Sequence, residues 1–508
     1  MYSKVKSAVL MGLIGSVIEV ECDVSIPGKP AFNIVGLPDA AIRESKERVS
    51  RAVINSDLIF PNDKRITINL APANTKKEGS HTDLAIAIAI LEADGIIIEG
   101  KTEPFLFLGE LSLEGKLNPV DGVLPMVISM RDEGYKNFII PSENAKECSI
   151  LNDVNIFPFE RLIDIVKFLN GDLHLSPFKS TEFLNEDIHY DVDFSEIKSQ
   201  ETLKRAFEIA AAGNHNILII GPPGAGKTMT ARRLPTILPD LTIEEAIEVT
   251  KIYSVAGLTA KKGLIRTRPF RSPHHSSSSV AIVGGGRIPK PGEVSLAHNG
   301  VLFLDELPEF NRNTLEVLRQ PLEDNVVSIS RINAQITYPA KFMLVASMNP
   351  CPCGYYGDPN HECTCTTQQI DRYLGKISNP LLDRIDMHIE VSAVNYKDLK
   401  DTRETESSAT IKARVDAARN LQIERYKDIG ITNNSELKGK NLQRFTKLTS
   451  SSEKILDMAF KKYAFSARGY NKILKLARTI ADLDNKENIA DEHLLEALRY
   501  RSFDSKYF

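Results

Sequence analysis

The sequence predicts an α/β protein in which an α+β domain precedes a parallel-sheet core and a helical region follows it. Two short apolar runs, 217–220 and 301–304, have the composition of buried parallel strands. Strand-like and helix-like segments alternate before residue 170, as in α+β domains, and helical periodicity dominates beyond residue 396. The predicted segments are 1–170 for the N-terminal domain, 171–195 for a linker, 196–395 for the core and 396–508 for a helical lid.

Composition places the chain among ordinary globular proteins and names no partner. Of its 508 residues 42% are hydrophobic and 26% are charged, and the net charge is −4. Six cysteines without a paired framework favour a reducing compartment, so we expect a cytoplasmic protein. The apolar stretch 8–18 is followed directly by Glu19 and Glu21 and alternates like a strand, which predicts a hairpin rather than a signal peptide. No apolar run reaches membrane-spanning length, so we expect no membrane partner.

A glycine-rich loop after the first apolar run predicts a site for ATP. The loop has phosphate-loop spacing and consists of Gly221, Pro222, Pro223, Gly224, Ala225, Gly226, Lys227 and Thr228. Its glycines let backbone N–H groups turn toward a phosphate chain, and a helix from Met229 would point its positive end at the nucleotide. Lys227 suits the β- and γ-phosphates, and Thr228 suits Mg²⁺. The alternative is a glycine-rich loop that binds nothing, and the preceding strand disfavours it.

Two carboxylates end the second apolar run and extend the prediction to ATP hydrolysis. Asp305 suits the acid that holds Mg²⁺, and Glu306 suits the base that orients the attacking water. Two acids at a strand end are more often solvated surface groups, but their spacing from the phosphate loop favours catalysis. A further apolar run, 341–347, leads to Asn349, whose amide suits a sensor of the γ-phosphate.

Segment 257–298 predicts contact with nucleic acid. It carries seven basic residues against one acid, and its only acid is Glu293. The basic residues are Lys261, Lys262, Arg266, Arg268, Arg271, Arg287 and Lys290. Runs 326–330 and 334–338 predict a β-hairpin with Arg331 at its basic tip. We expect Arg266, Arg268, Arg271 and Arg331 to contact DNA phosphates; the alternative is a solvated loop that balances acids elsewhere.

Other candidate ligands for metal lie in and near the core. Four thiols suit tetrahedral Zn²⁺, and they belong to Cys351, Cys353, Cys363 and Cys365. Their spacing departs from the usual pairs, so His361 is a possible substitute and four reduced thiols are the alternative. Adjacent His274 and His275 do not suggest a metal site, because neighbours in a strand point opposite ways.

Several segments resemble the magnesium-chelatase-like branch of the AAA+ ATPases, and more closely its ComM/YifB members. Besides the phosphate loop, the segments are 269–275, 292–310, 348–354 and 466–471. The resemblance implies a P-loop AAA+ core with a helical lid, and a homo-oligomeric ring of six subunits. It implies that Asn349 is sensor 1, Arg384 the arginine finger on a neighbour's ATP and Arg468 sensor 2. ComM members are regarded as branch-migration helicases that aid DNA integration in transformation, which implies a motor on single-stranded or branched DNA. YifB members are often known only as ATPases.

The N-terminal segments 75–85 and 108–122 resemble the Lon-type protease domain, which implies an S5-like fold. Lon chemistry needs a serine nucleophile and a lysine base. Those positions fall on His81 and Leu124, and the neighbouring Ser80 has no evident activator. We therefore expect a structural or docking domain without peptidase activity.

Two other functions remain open from the sequence. A magnesium-chelatase subunit that inserts Mg²⁺ into a porphyrin would share the core but would not need the Lon-like domain. An ATP-dependent protein remodeller or protease would be favoured by an intact Ser–Lys pair, which the sequence does not show.

Overall fold

The computed structural model describes residues 1–26, 29–73, 77, 79–179, 190–259, 263–286, 289–331, 334–359, 361–393, 405–463 and 465–501. They form two units, one of Met1–Asp187 with Ile243–Ile265 and one of Ile188–Thr242 with Arg266–Phe508. Segment 243–265, expected in the core, therefore packs with the N-terminal unit. In the described residues, none of the helices has the length and apolar character needed to cross a membrane.

The first unit is built on a seven-stranded sheet. The strands are β1 Tyr2–Met11, β2 Ile14–Ser25, β3 Ala31–Val35, β4 Arg65–Ala71, β5 Phe105–Phe107, β6 Glu110–Leu111, β7 Leu117–Asn118, β8 Asn137–Pro141 and β9 Asn155–Phe159. The sheet order is β3-β4-β2-β1-β5-β8-β9, while β6 and β7 pair separately. Strand β2 is antiparallel to β1 and to β4, and the other neighbours are parallel. The expected N-terminal hairpin is confirmed as β1 and β2.

Among the described residues, six α-helices lie in the first unit with this sheet. They are Ala40–Ile54, Asp83–Ala93, Val123–Asp132, Ala145–Cys148, Leu162–Asn170 and Ile243–Val255. Helix Ala40–Ile54 begins where the side chain of Asp39 accepts from the Ile42 amide at 2.8 Å. Helix Asp83–Ala93 is buried on nearly every side, as expected for a helix without a polar face. An α+β unit is confirmed, and its likeness to the Lon domain stays a prediction.

The second unit contains a parallel sheet. Its strands, with those of the small hairpins, are β10 Ile217–Ile220, β11 Phe270–Arg271, β12 Gly284–Gly285, β13 Lys290–Pro291, β14 Val301–Leu304, β15 Val326–Arg331, β16 Ala334–Pro339, β17 Met343–Met348 and β18 Met387–Glu390. The sheet order is β11-β14-β17-β10-β18, with all neighbours parallel. The predicted strands β10 and β14 are confirmed residue for residue, and both are fully buried. The phosphate loop, Asp305 and Asn349 therefore share one sheet edge, since parallel strands end together.

Helices complete the second unit. They are Glu201–Gly213, Lys227–Arg233, Ser279–Val283, Glu293–Leu296, Arg312–Val317, Arg319–Asp324, Thr367–Leu374, Asn379–Leu382, Ser408–Tyr426, Gly439–Phe445, Ser450–Tyr463, Ala467–Leu483 and Asp491–Arg499. The C-terminal helices share one hydrophobic cluster with β10, as a packed helical lid requires. Phe194, expected in the linker, is fully buried in that cluster. Linker residues 180–189 and lid residues 396–404, 464 and 502–508 lie outside the described residues.

The predicted basic hairpin is confirmed as β15 and β16. The strands are antiparallel, and Arg331 pairs with Ala334 across the turn. The tip residues Ile332 and Asn333 and the side chain of Arg331 lie outside the described part of the chain. The same holds for Lys261, Lys262 and Arg287 of the basic segment and for Glu78 of the Lon-like motif.

Candidate nucleotide site

The phosphate loop joins β10 to helix Lys227–Arg233, and its backbone depends on glycine. The φ angles are +78° at Gly224 and +80° at Gly226, a region that residues with side chains rarely adopt. Gly221 is confined instead by close packing, because a Cβ there would lie 2.5 Å from Cγ2 of Val391. The helix begins at Lys227, two residues earlier than predicted. The loop therefore has the shape that lets backbone amides surround phosphate oxygens.

Lys227 is held across the mouth of this loop. Its Nζ donates to the carbonyl oxygens of Gly221 at 2.7 Å and Pro222 at 2.9 Å, and to Oδ1 of Asn349 at 3.0 Å. Burial lowers the pKa of Lys227 from 10.5 to about 8, and the nearby carboxylates of Asp305 and Glu306 oppose that shift. All three acceptors are oxygen atoms, and phosphate oxygens of a bound nucleotide would be acceptors of the same kind for this ammonium group.

The pKa of Lys227 predicts how ATP binding depends on pH. ATP binds best when Lys227 is charged, so affinity should fall as pH rises through about 8 and weaken about tenfold between pH 7 and pH 9. Fluorescence titration with an ATP analogue at constant Mg²⁺ and ionic strength measures this. The Lys227→Arg variant is the control, because arginine stays charged over the whole range. Parallel pH profiles for both proteins would contradict the prediction.

Asp305 is held between the phosphate loop and β17. The hydroxyl of Thr228 donates to Oδ2 of Asp305 at 2.6 Å, and the hydroxyl of Ser347 donates to Oδ1. A hydroxyl beside a carboxylate is an oxygen donor set that fits Mg²⁺. The ion would neutralise charge on the phosphates when bound. Ser347 was not predicted as a site residue from the sequence. A serine in an apolar strand such as β17, where it is fully buried, nevertheless indicates a hydrogen-bonding role.

Glu306 follows Asp305 with an unusual backbone. Its φ is +53° and its ψ +50°, the left-handed region that a non-glycine residue rarely adopts. Oε2 of Glu306 lies 3.5 Å from Nδ1 of His275. The prediction that His274 and His275 lie in a strand and point apart is wrong. They lie in a turn after β11, and their ring centroids are 4.0 Å apart.

Arg384 lies at the opposite end of the sheet from its own phosphate loop. Strands β10 and β18 are parallel, with Ile217 beside Met387. The phosphate loop follows the C-terminal end of β10, whereas Arg384 precedes the N-terminal end of β18. The side chain of Asn216, just before β10, donates to the carbonyl oxygen of Arg384 at 3.0 Å. Four strand residues separate the two ends by about 13 Å. The guanidinium of Arg384 donates to Glu323, and to the Pro380 carbonyl at 2.6 Å.

Arg468 belongs to the same end of the sheet as Arg384. It is the second residue of helix Ala467–Leu483, and its Nη1 lies 3.8 Å from Oδ2 of Asp383. The side chain is 60% exposed. One turn later, Lys472 donates to the carbonyl of Ile385 at 2.8 Å, which ties the helix to this end. The structure therefore brings the two candidate arginines together, and away from the loop that holds Lys227.

Three of the arginines expected to contact DNA have partners within the chain. Arg268 donates to the carbonyls of Pro239 at 2.5 Å and Asn299 at 2.7 Å. Arg271 forms a two-pronged ion pair with Glu293 at 2.6 and 2.7 Å. Arg266 is half-buried and also has a partner. Replacing these arginines would disturb local structure, so such variants do not isolate DNA binding.

The four cysteines of the core lie together. All four sulfur atoms are within 4.8 Å of one another, although the residues span 351–365. Sγ of Cys351 is 3.3 Å from that of Cys353 and 3.7 Å from that of Cys363. Tetrahedral zinc thiolate sites have sulfur separations of about 3.8 Å, given Zn–S bonds of about 2.3 Å. The cluster is therefore compatible with zinc, while His361 instead stacks on Tyr355 at 4.8 Å.

The Lon-like positions of the first unit form a different arrangement. His81 is buried, and burial lowers its pKa to about 4. Leu124 is fully buried in helix Val123–Asp132. The hydroxyl of Ser80 donates to the carboxylate of Glu110, which also accepts from Asn118 at 3.2 Å. Ser80 therefore donates to a carboxylate that also accepts a hydrogen bond from the amide of Asn118.

Family profiles match most of this chain. The profile described as "Magnesium chelatase, subunit ChlI" matches residues 193–399, "Subunit ChlI of Mg-chelatase" matches 20–144 and "Magnesium chelatase, subunit ChlI C-terminal" matches 405–501. Competence protein ComM of Haemophilus influenzae is 44% identical over 98% of this chain and 97% of its own length. The chain belongs to the magnesium-chelatase-like family and resembles its ComM/YifB members over its whole length. The uncharacterized protein YifB of Escherichia coli is 43% identical over 99% of this chain and 97% of its own.

Some relatives in this family match a smaller part of this chain than ComM does. The magnesium-chelatase 38 kDa subunit of Rhodobacter capsulatus is 25% identical over 59% of this chain and 84% of its own length. The mixed α/β fold with a parallel sheet agrees with a magnesium-chelatase-like AAA+ family. Membership of that family indicates ATPase activity, and ATP with Mg²⁺ are plausible cofactors for it.

Proposed function

We propose that this protein is an ATP-hydrolysing hexameric ring motor that moves single-stranded or branched DNA. The position of Arg384 carries the proposal. It lies at the end of the sheet opposite to its own phosphate loop, with Arg468 beside Asp383 at the same end. An arginine that stabilises charge on a transferring phosphoryl group must reach a nucleotide. A neighbouring subunit's nucleotide satisfies that need, and repeating the contact head to tail closes a ring.

The DNA substrate is inferred from the relatives and from the hairpin β15–β16. The relative named Competence protein ComM matches nearly the whole chain, including the N-terminal unit, and its name associates it with competence. The hairpin lies in sequence between Glu306 and Asn349: helix Arg319–Asp324 precedes it, and β17, which ends next to Asn349, follows it. A basic hairpin tip in a ring pore would contact phosphates without reading sequence.

A magnesium-chelatase subunit is the second candidate function. The relatives with that name support it, but the Rhodobacter protein matches 59% of this chain, against 98% for ComM. A chelatase would hydrolyse ATP without any response to DNA, which separates the two proposals in one assay. A protein remodeller would respond to unfolded protein instead.

The test is ATP turnover with no DNA, with single-stranded DNA and with a four-way junction, over a salt series. We expect DNA to stimulate turnover and the stimulation to fall steeply with salt, since phosphate contacts release counterions. Arg331→Ala should lower the ratio of DNA-stimulated to basal turnover and slow junction migration. Lys461→Ala removes an exposed cation of the lid and is the matched control. A wild-type protein that ignores every DNA would overturn the DNA proposal, and wild-type migration by Arg331→Ala would overturn the hairpin assignment.

We also propose that the cysteine cluster holds one structural Zn²⁺ beside the ATP site. Cys351 lies two residues after Asn349, and a Cβ on Gly354 would lie 2.6 Å from Cδ of Pro223 in the phosphate loop. The segment that carries the cluster therefore packs closely against the phosphate loop. Zinc would fix four thiolates that span 351–365 and so restrict the motion of this segment.

We expect one zinc per chain, measured by elemental analysis after purification in metal-free buffer. The double variant Cys353→Ser, Cys363→Ser should lose the metal and bind ATP more weakly, because the brace against Pro223 loosens. Cys22→Ala is the control, since Cys22 is buried in the first unit and isolated from the cluster. Four thiols that titrate freely in a zinc-free wild-type protein would contradict the proposal.

A further inference from the structure

The carbonyl oxygen of Ile385, the residue after Arg384, accepts hydrogen bonds from two cationic side chains. Nζ of Lys472 donates to it at 2.8 Å, and Nη1 of Arg501 also donates to it at 2.8 Å. Both side chains are buried, and lysine and arginine are almost never buried unless they are paired. A carbonyl oxygen has two lone pairs, so these two donors saturate it. The C-terminal helices therefore hold one peptide group of the core from two points.

A second set of hydrogen bonds fixes the residues on either side of Ile385. The side-chain amide of Asn216 donates to the carbonyl of Arg384 at 3.0 Å, and its backbone N–H donates to Oδ2 of Asp386 at 3.0 Å. The backbone N–H of Asp386 donates in turn to the carbonyl of Asn216 at 2.9 Å. Residues 384–386 are thus joined both to the start of β10 and to the C-terminal helices.

An ion pair with Asp386 keeps Lys472 charged beside this carbonyl. Nζ of Lys472 lies 3.6 Å from Oδ1 of Asp386. Burial alone would raise the pKa of Asp386, but the charge of Lys472 holds it well below its usual range. Burial lowers the pKa of Lys472 to about 8, against the opposing charge of Asp386. Both groups are therefore ionised at pH 7, and a charged donor makes a stronger hydrogen bond than a neutral one.

The side chain of Arg384 extends from this fixed backbone. Its own contacts are to the carbonyl of Pro380, at 2.6 Å, and to the exposed carboxylate of Glu323. A misplacement of about 1 Å at a reacting group can cost about a hundredfold in rate. The arginine side chain is long, so any displacement of its backbone is carried to the guanidinium. The bonds to Ile385 and Asp386 limit that displacement.

We propose that Lys472 and Arg501 are positioning residues for Arg384, which fix the peptide group of Ile385 so that the guanidinium reaches a neighbour's ATP. The inference rests on the proposed function, since it assumes that Arg384 acts on the nucleotide of another subunit. It adds that the C-terminal helices of one subunit support hydrolysis in the next. Lys472 and Arg501 act through Arg384 and contact no nucleotide themselves.

The first test is the kinetics of basal ATP turnover, measured without DNA over a range of ATP concentrations. Lys472→Met keeps the length of the side chain but removes the charged donor. It should lower kcat at least about tenfold, with KM and equilibrium ATP affinity near those of the wild type. Arg501→Gln should act in the same direction. The matched control is Lys475→Met, because Lys475 lies on the same helix but donates to the carbonyl of Ser435 at 2.6 Å. The control should keep the wild-type kcat.

The second test asks whether Lys472 acts through Arg384. Lys472→Met combined with Arg384→Ala should be no slower than Arg384→Ala alone, because a positioning residue has no effect once the side chain it places is gone. Lys472→Met protein mixed with Lys227→Ala protein should recover part of the activity. In such a mixture the Lys227→Ala subunits offer a correctly placed Arg384 to their neighbours.

Two results would overturn the inference. One is wild-type kcat in both Lys472→Met and Arg501→Gln, which would leave the proposed function standing. The other is a loss in Lys472→Met that multiplies with the loss in Arg384→Ala. Thermal unfolding and ATP binding are measured on each variant. If Lys472→Met unfolds or loses ATP binding, Arg501→Gln decides, with the same expected loss and the same double variant.

The proposed function can fail separately from this inference. A wild type that ignores DNA, with kcat lowered in Lys472→Met and Arg384→Ala alike, would sink the DNA proposal and keep the positioning role. Wild-type turnover in Arg384→Ala would overturn both, because Arg384 would then have no catalytic task for Lys472 and Arg501 to support.

Discussion

Arg384→Ala is expected to reduce ATP turnover about a thousandfold while leaving ATP binding intact. The reason is its position, because the sheet separates Arg384 from its own phosphate loop. Loss of the side chain therefore removes no contact to the nucleotide in the same chain. It would remove positive charge from the transition state in a neighbouring subunit.

Mixing experiments distinguish a neighbour's site from a subunit's own site. Arg384→Ala protein mixed with Lys227→Ala protein should recover part of the activity, since in the proposed ring a Lys227→Ala subunit still offers Arg384 to its neighbour. Neither variant alone should approach wild-type turnover at an ATP concentration that saturates only the wild type. The control is Glu323→Ala, which removes the exposed acid paired with Arg384 but keeps the arginine. Absence of recovery in rings of confirmed mixed composition would contradict catalysis across the interface.

Glu306→Gln is expected to bind ATP with near wild-type affinity and to hydrolyse it at least about a hundredfold more slowly. Glutamine preserves shape but cannot accept a proton from the attacking water. Lys227→Ala should behave in the opposite way and weaken ATP binding about 10- to 100-fold, because it removes a charged donor beside the phosphates. The measurements are single-turnover hydrolysis and equilibrium nucleotide binding.

The control for Glu306→Gln is Glu316→Gln, which neutralises an acid that is paired with Arg319 at 2.8 Å in the same unit. That variant should keep both ATP binding and turnover. Unchanged hydrolysis in Glu306→Gln would remove the assignment of the base.

The sequence predicted correctly the strands and helices whose structure depends mainly on their own residues. Strands Ile217–Ile220 and Val301–Leu304 form as predicted, since short apolar runs that end at glycine or acid have few other stable arrangements. Helix Ala467–Leu483 forms in the region beyond residue 396 that was predicted to be helical, because its apolar positions repeat at helical spacing. The approach of the phosphate loop, Asp305 and Asn349 follows directly from parallel strands that end at one edge.

The contacts of the arginines in basic segment 257–298 could not be predicted from the sequence. Charge counts predicted contact with nucleic-acid phosphates, yet Arg271 is paired with Glu293 and Arg268 with the backbone carbonyls of Pro239 and Asn299. The partners lie 22 to 31 residues away along the chain. A count of charges carries no information about such distant partners, so it could not tell a structural arginine from an available one.

What the sequence determined by itself is the chemistry of the site: a phosphate loop, two acids, an amide and four thiols, each carried on a short local pattern. Only the tertiary structure decided which of these groups meet. It placed Arg384 and Arg468 at the end of the sheet opposite to Lys227, and it brought His275 to Glu306. It also assigned segment 243–265 to the first unit, where Thr259 donates to the buried carboxylate of Glu147 at 2.8 Å. The physical reason is that periodicity reports which face of an element is buried, whereas the partner on that face is set by strand order and long-range packing.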